Sequence, residues 1–189
     1  MIKSILIVGV GGQGTLLTSR VVGNALTSAG YDVKISEIHG MAQRGGSVMT
    51  FVRYGEKVHS PLIEGAGADV VLAFEKLEAL RYVDIVKKDG VMIINTQEIA
   101  PMPVVIGNAK YPDDILEQLD NKGVAYEAVD ATNEALALGN IRVANVILIG
   151  KIAKRLDIDK EIWLSAIEKC VPAKTVEINK KAFLSGYEN

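Results

Sequence analysis

The sequence predicts an α/β fold, on three observations. A continuous apolar run, Ser4-Ile5-Leu6-Ile7-Val8-Gly9, passes through a glycine loop into a helical pattern, which opens a strand–helix–strand unit. Two further runs, Asp69–Ala73 and Gly90–Asn95, flank another helical pattern, and unbroken hydrophobicity of this kind marks strands buried on both faces of a parallel sheet. Beyond Asp130 the spacing is helical throughout, so the final third is expected to be helix alone.

Each element has its own justification. From Thr15 the residues Leu17, Val21, Val22, Ala25, Leu26 and Ala29 recur at helical spacing, and Gly30 supplies a stop. Val33–Glu37 and Ser47–Tyr54 alternate as strands. A helix is expected over Glu75–Val86. Pro101, Pro103 and Pro112 break the following segment into loop and edge structure, before a short helix at Asp113–Leu119 and a strand at Val124–Val129. Helices then follow at Ala131–Leu138, Ile141–Leu156, Lys160–Cys170 and Lys174–Ser185. In the third of these, Ile162, Trp163, Ala166, Ile167 and Cys170 form one apolar face, which predicts a buried, inert thiol at Cys170. The three apolar strands near Ile5–Val8, Val70–Ala73 and Val91–Ile94 are expected side by side at the sheet centre.

Composition narrows the function. The 189 residues fit one domain, residues 1–189, and carry 21 basic against 23 acidic side chains, so the basic excess of a nucleic-acid binder is missing. No signal-peptide pattern or membrane-length apolar run is present, which points to a cytoplasmic protein with no membrane partner. One cysteine excludes a disulfide framework and falls short of the thiolates an iron–sulfur cluster requires. With two histidines, His39 and His59, and no ligand spacing such as H-E-x-x-H, no metal is expected in this chain.

Two glycine clusters carry the chemistry. Gly9-Val10-Gly11-Gly12-Gln13-Gly14 satisfies G-x-G-x-x-G between a strand and a helix, where backbone amides and the helix dipole can meet a pyrophosphate. The same glycines also serve a tight turn that binds nothing. Glu37 stands near the position of a ribose-binding acid, slightly late in sequence. The second cluster, Gly40-Met41-Ala42-Gln43-Arg44-Gly45-Gly46-Ser47, puts a guanidinium on a loop between two strands, suited either to an anion or to water. His39 beside it is a proton carrier or a hydrogen-bonded structural residue. Glu75 and Glu78 lack a supporting catalytic motif and read as a solvated helix face. The sequence has neither a G-x-S-x-G elbow nor a Walker A lysine. No catalytic residue is assigned to the chain.

Together the clusters make the chain resemble the gamma-type catalytic domain of the 2-oxoacid:ferredoxin oxidoreductases, in the indolepyruvate branch. The resemblance lies in Gly9–Gly14, in Glu37–Ser47 and in Leu138-Gly139-Asn140-Ile141-Arg142-Val143-Ala144-Asn145, and spans nearly the whole chain. It implies a three-layer α/β/α sandwich with a mixed, mostly parallel sheet and a Rossmann-like first unit. It further implies oxidative decarboxylation of an arylpyruvate with coenzyme A (CoA), giving an arylacetyl-CoA, carbon dioxide and reduced ferredoxin. Thiamine diphosphate and 4Fe-4S clusters would belong to a larger partner subunit, leaving this chain inactive alone and colourless. CoA, as co-substrate, or an anionic group of the partner would meet a surface formed by both loops: Gly9, Gly11, Gly12, Gln13 and Gly14 from one, and Glu37, His39, Gly40, Met41, Gln43, Arg44, Gly45, Gly46 and Ser47 from the other. Three alternatives stand beside this: the gamma subunit of a pyruvate, 2-oxoglutarate or branched-chain 2-oxoacid enzyme, a stand-alone NAD-dependent dehydrogenase, and a noncatalytic nucleotide binder.

Overall fold

A computed structural model describes residues 2–40 and 45–189. The chain forms strands β1 (Lys3–Val10), β2 (Asp32–His39), β3 (Ser47–Gly55), β4 (Ala68–Ala73), β5 (Val86–Asn95) and β6 (Ala125–Val129). Helices are α1 (Thr15–Ser28), α2 (Lys76–Arg81), α3 (Met102–Val105), α4 (Ile115–Asn121), α5 (Ala131–Ala137), α6 (Ala144–Ala153), α7 (Lys160–Cys170) and α8 (Val176–Glu188). One six-stranded sheet runs in the order β2-β3-β1-β4-β5-β6. Its β1–β4, β4–β5 and β5–β6 pairings are parallel, while β3 is antiparallel to both β1 and β2. The three continuously apolar strands thus lie side by side at the centre, as their hydrophobicity requires.

Alternation along the strands divides the core in two. Ile5 and Ile7 of β1, Leu72 of β4 and Ile93 of β5 face a layer built from α1, α5, α6, α7 and α8. Leu6 and Val8, Val71 and Ala73, and Met92 and Ile94 face the other layer, where Ala79 of α2 and Ile115 and Leu119 of α4 cover them. The first strand–helix–strand unit keeps β1 and β2 pointing the same way but admits β3 between them.

Within the larger helical layer α6 is buried from Asn145 to Ala153 and crosses α8 at two glycines. A Cβ on Gly150 would stand 2.3 Å from the Phe183 carbonyl oxygen, and one on Gly186 2.0 Å from that of Ile147. No side chain fits there, so the helices meet backbone to backbone.

Several boundaries differ from expectation. The helix expected over 75–86 ends at Arg81 and gives way to a 3₁₀ turn at Val83–Ile85, because β5 starts at Val86. Gly90, where the apolar pattern places the strand start, lies inside the strand beside a register shift, where a Cβ would meet the Ala68 carbonyl at 2.8 Å. The helix expected over 141–156 begins with a 3₁₀ turn at Ile141–Val143 and stops at Ala153, while the last helix is displaced to 176–188. Pro101 is the N-cap of α3, with Pro103 in its first turn, so prolines start a short helix where loop was expected. Cys170 is only partly buried; the Asn24 side-chain amide reaches its sulfur at 3.5 Å, and burial raises the thiol's pKa, which keeps it protonated. No described helix is long and apolar enough to cross a membrane.

Candidate functional site

Five strands end, and β3 begins, at one pole of the sheet, so the glycine loops emerge together. The Gly11 amide donates to the Gly46 carbonyl at 2.8 Å, and the Gly45 amide donates to the Gly11 carbonyl at 3.3 Å. The first cluster is thus paired, backbone to backbone, with the end of the second at Gly45 and Gly46.

Within the first loop each residue has a distinct reason. Gly9 leaves no space for a Cβ, which would lie 2.9 Å from Phe74 Cβ. Gly12 and Gly14 take φ of 108° and 89°, in the left-handed region that disfavours side chains. Gln13 turns inward: its Oε1 accepts the Val10 amide at 2.7 Å, and its Nε2 donates to the Phe74 carbonyl and to Gln97 Oε1, both at 2.9 Å. Its side chain pins the loop to the segments that follow β4 and β5. Gly14 caps α1 without a side-chain hydrogen bond, and the first turn contains no acid. No side chain therefore caps the first amides of α1, the kind of group an anion can satisfy.

On either side of this loop lies a groove. One, about 550 Å³, is bounded by Gly11, Gly12, Thr15 and Leu16 and by Glu37, His39 and Val48 on β2 and β3. The other, about 400 Å³, lies between the loop and Asn95, Gln97, Thr132, Arg142 and Asn145. Glu37 is half-buried, and His39 and Gly40 are exposed. Met41, Gln43 and Arg44 fall outside the described residues. The structure thus brings Glu37, His39, Gly45, Gly46 and Ser47 to the first loop.

Sequence reading missed several side chains here: Asn95, Gln97 and Thr132 in the second groove, and Arg142, Asn145, Glu75 and Glu78. Arg142 and Asn145 come from the third matching segment, whose Asn145 Nδ2 lies 3.4 Å from the Gly14 carbonyl. A Cβ on Gly14 would meet that same nitrogen at 2.5 Å. Glu75 and Glu78, expected in solvent, are buried at 1% and 3% exposure, a direct correction. Glu75 caps α2 by accepting the Glu78 amide at 2.9 Å, and its other oxygen accepts from the Ile99 amide and the Tyr111 hydroxyl. Burial and the hydrogen bond to Glu75 push the Tyr111 phenol far upward, so it remains a donor. Glu78 accepts from Ser47 Oγ at 2.5 Å and faces Arg81 at 3.2 Å. Burial pushes its carboxyl above the usual range, against the opposing pull of Ser47 and Arg81. The available signal was the position of Glu75, directly after a buried strand, where a helix cap is required.

Among the described residues no group of three or more His, Cys, Asp or Glu is placed to hold a metal ion. The donor set here is backbone amide, carboxamide and guanidinium, suited to an anion or a polar ligand.

A family model described as "Pyruvate ferredoxin/flavodoxin oxidoreductase" matches residues 4–189. The chain belongs to this family. Among curated relatives of this oxidoreductase family member, the indolepyruvate oxidoreductase subunit IorB of Thermococcus kodakarensis is 40% identical over 97% of this chain and 93% of its own. A pyruvate/ketoisovalerate oxidoreductases common subunit gamma, from Pyrococcus abyssi, is 28% identical over 95% and 92%. Two solved structures share the fold. The pyruvate oxidoreductase subunit PORC of Thermotoga maritima has a TM-score of 0.75 at 23% identity, covering 100% of this chain and 96% of that one. The 2-oxoglutarate:ferredoxin oxidoreductase of Magnetococcus marinus, a structure with 2-oxoglutarate, coenzyme A and succinyl-CoA bound, has a TM-score of 0.74 at 20% identity. That match covers 99% of this chain but 30% of the other, whose chain is much longer.

Proposed function

We propose that this chain is the small subunit of a cytoplasmic enzyme that oxidatively decarboxylates an arylpyruvate, indolepyruvate foremost. CoA accepts the acyl group, carbon dioxide leaves, and the electrons pass to ferredoxin. The observation that carries the reading is the pairing of the two glycine loops through Gly11, Gly45 and Gly46 beside the N-terminus of α1, which no side chain caps, in a chain of this family. The arylpyruvate branch follows the higher identity, 40% against 28%, to the relative named for indolepyruvate.

One cysteine, and no described cluster of metal-binding side chains, does not fit an iron–sulfur centre in this chain. We therefore assign the clusters and thiamine diphosphate to a larger partner, and treat residues 1–189 as one domain that is inactive without it. The paired loops hold an anionic group, either of CoA or of that partner. The apolar residues Met102, Val105 and Ile106, each at least 60% exposed, offer a face for the partner.

Replacing Arg44 by Ala and by Lys in the reconstituted complex tests this. A charge-assisted contact is worth about 1.5–3 kcal/mol. The expected result is a loss of CoA or partner affinity, smaller for Lys; wild-type kinetics and assembly in both variants would mean a solvent-facing arginine. The dehydrogenase reading leans on Glu37, yet β3 separates β2 from β1 and sets Glu37 one strand spacing, ~4.8 Å, further from the glycine loop than an adjacent strand would. Titration with NADH, read by fluorescence, should detect no micromolar binding.

A further inference from the structure

Ser47 is the first residue of β3, directly after the two glycines that pair with Gly11. Its hydroxyl has a definite place. It donates to Glu78 Oε2 at 2.5 Å and lies 3.3 Å from the Tyr82 hydroxyl. Glu78 is itself immobilised: its amide is tied to Glu75, its second oxygen faces Arg81, and Glu75 is tied in turn to Ile99 and Tyr111. A chain of hydrogen bonds therefore runs from the segment after β5, through the start of α2, to the strand end where the second loop returns.

Burying two carboxylates three residues apart, at the N-cap and in the first turn of one helix, is unfavourable unless their oxygens are satisfied. Both sets of oxygens are satisfied here, and one of those partners is the residue that closes the loop. A helix fastened to the sheet for stability alone could use apolar contacts, as Ala79 does beside it. What the carboxylate adds is a directional acceptor that sets where β3 begins.

We propose that Glu78 is a positioning residue: through Ser47 it fixes the strand end from which Gly45 and Gly46 engage Gly11, and so sets the surface that the two glycine loops share. The loops' register is held from the far side of the sheet's end, by α2. The functional consequence rests on the reading given under Proposed function; the positioning itself does not.

The test compares Ser47→Ala, Glu78→Ala and Glu78→Gln in the full chain. Amide hydrogen exchange by NMR reads the isolated protein at Gly11 and Gly45, with Leu72 in the central strand as reference. Losing one hydrogen bond to a charged acceptor should speed exchange at both glycines about tenfold in Ser47→Ala and Glu78→Ala and leave Leu72 unchanged. Glu78→Gln keeps an oxygen acceptor for the Ser47 hydroxyl and should restore protection. Unchanged protection at Gly11 and Gly45 in Ser47→Ala overturns the proposal, as does acceleration spread equally to Leu72. Should Glu78→Ala fail to fold, Ser47→Ala decides alone.

In the complex reconstituted with its thiamine subunit, Glu78→Ala should raise the half-saturating concentration of CoA or of the partner about tenfold, with kcat changed far less. Faster local exchange with unaltered CoA and partner dependence supports the positioning and overturns the role given to the loop surface.

Discussion

At Gly14 two constraints coincide, a positive φ and the side chain of Asn145 standing where a Cβ would go. Gly14→Ala should therefore cost about 1–3 kcal/mol in thermal unfolding, and more than Gly12→Ala, whose added Cβ would meet nothing within 4 Å. Glu78 gives a prediction with a pH sign. Its folded carboxyl titrates above the ordinary value of 4.5, so the folded state is favoured by protonation and loses stability as pH rises from that value through the raised one. Glu78→Gln removes the titrating group and should flatten stability across that window; a variant whose stability falls with pH as wild type does from pH 4 to 8 would contradict it. These residues also mark the limit of sequence legibility. The glycines were legible because φ and close approach are local demands. Glu75 and Glu78 were not, since their burial depends on Tyr111, Ile99 and Ser47, all distant in sequence. Gln13 was legible as a loop residue but not as an inward-facing one, because its partners Phe74 and Gln97 are distant in sequence.

Among the elements, α7 matches its sequence reading at both ends, with Asp159 capping it and Pro172 following it. Where cap and apolar period agree, the boundary is fixed locally. The start of β5 was misplaced because Lys87, Lys88 and Asp89 look unlike a buried strand, yet pairing of Val86 with Ala68 extends the ladder across them. The α6–α8 crossing makes the sharpest prediction at this scale. Gly150→Ala and Gly186→Ala should each lower stability by about 3 kcal/mol or more, since the obstructing atoms are backbone and the helices must part to admit a methyl group. Trp163 is fully buried and stacks on Phe183 with centroids 6.4 Å apart. Its fluorescence should report the loosened packing, and unfolding midpoints equal to wild type would refute the claim.

For the whole molecule, hydrophobic pattern gave the class, the central strands and the helical third. It did not give the strand order. Both β2 and β3 alternate, and nothing in alternation says that β3 inserts between β2 and β1; that outcome depends on register, Val10 opposite Ser47 and His39 opposite Val48. The isolated chain should show no iron–sulfur absorbance and no oxoacid-dependent ferredoxin reduction until the partner is added. Activity from the purified chain alone would overturn that division of labour. Because the paired loop ends and the start of α6 share one pole, the opposite pole, where Glu56, Lys57, Asp89 and Asp157 are exposed, has no assigned task. That asymmetry gives the molecule a built-in handle. A dye or surface tether on Lys57→Cys would present the loop pole outward in one orientation, and the protonated, half-covered Cys170 would compete poorly for the label.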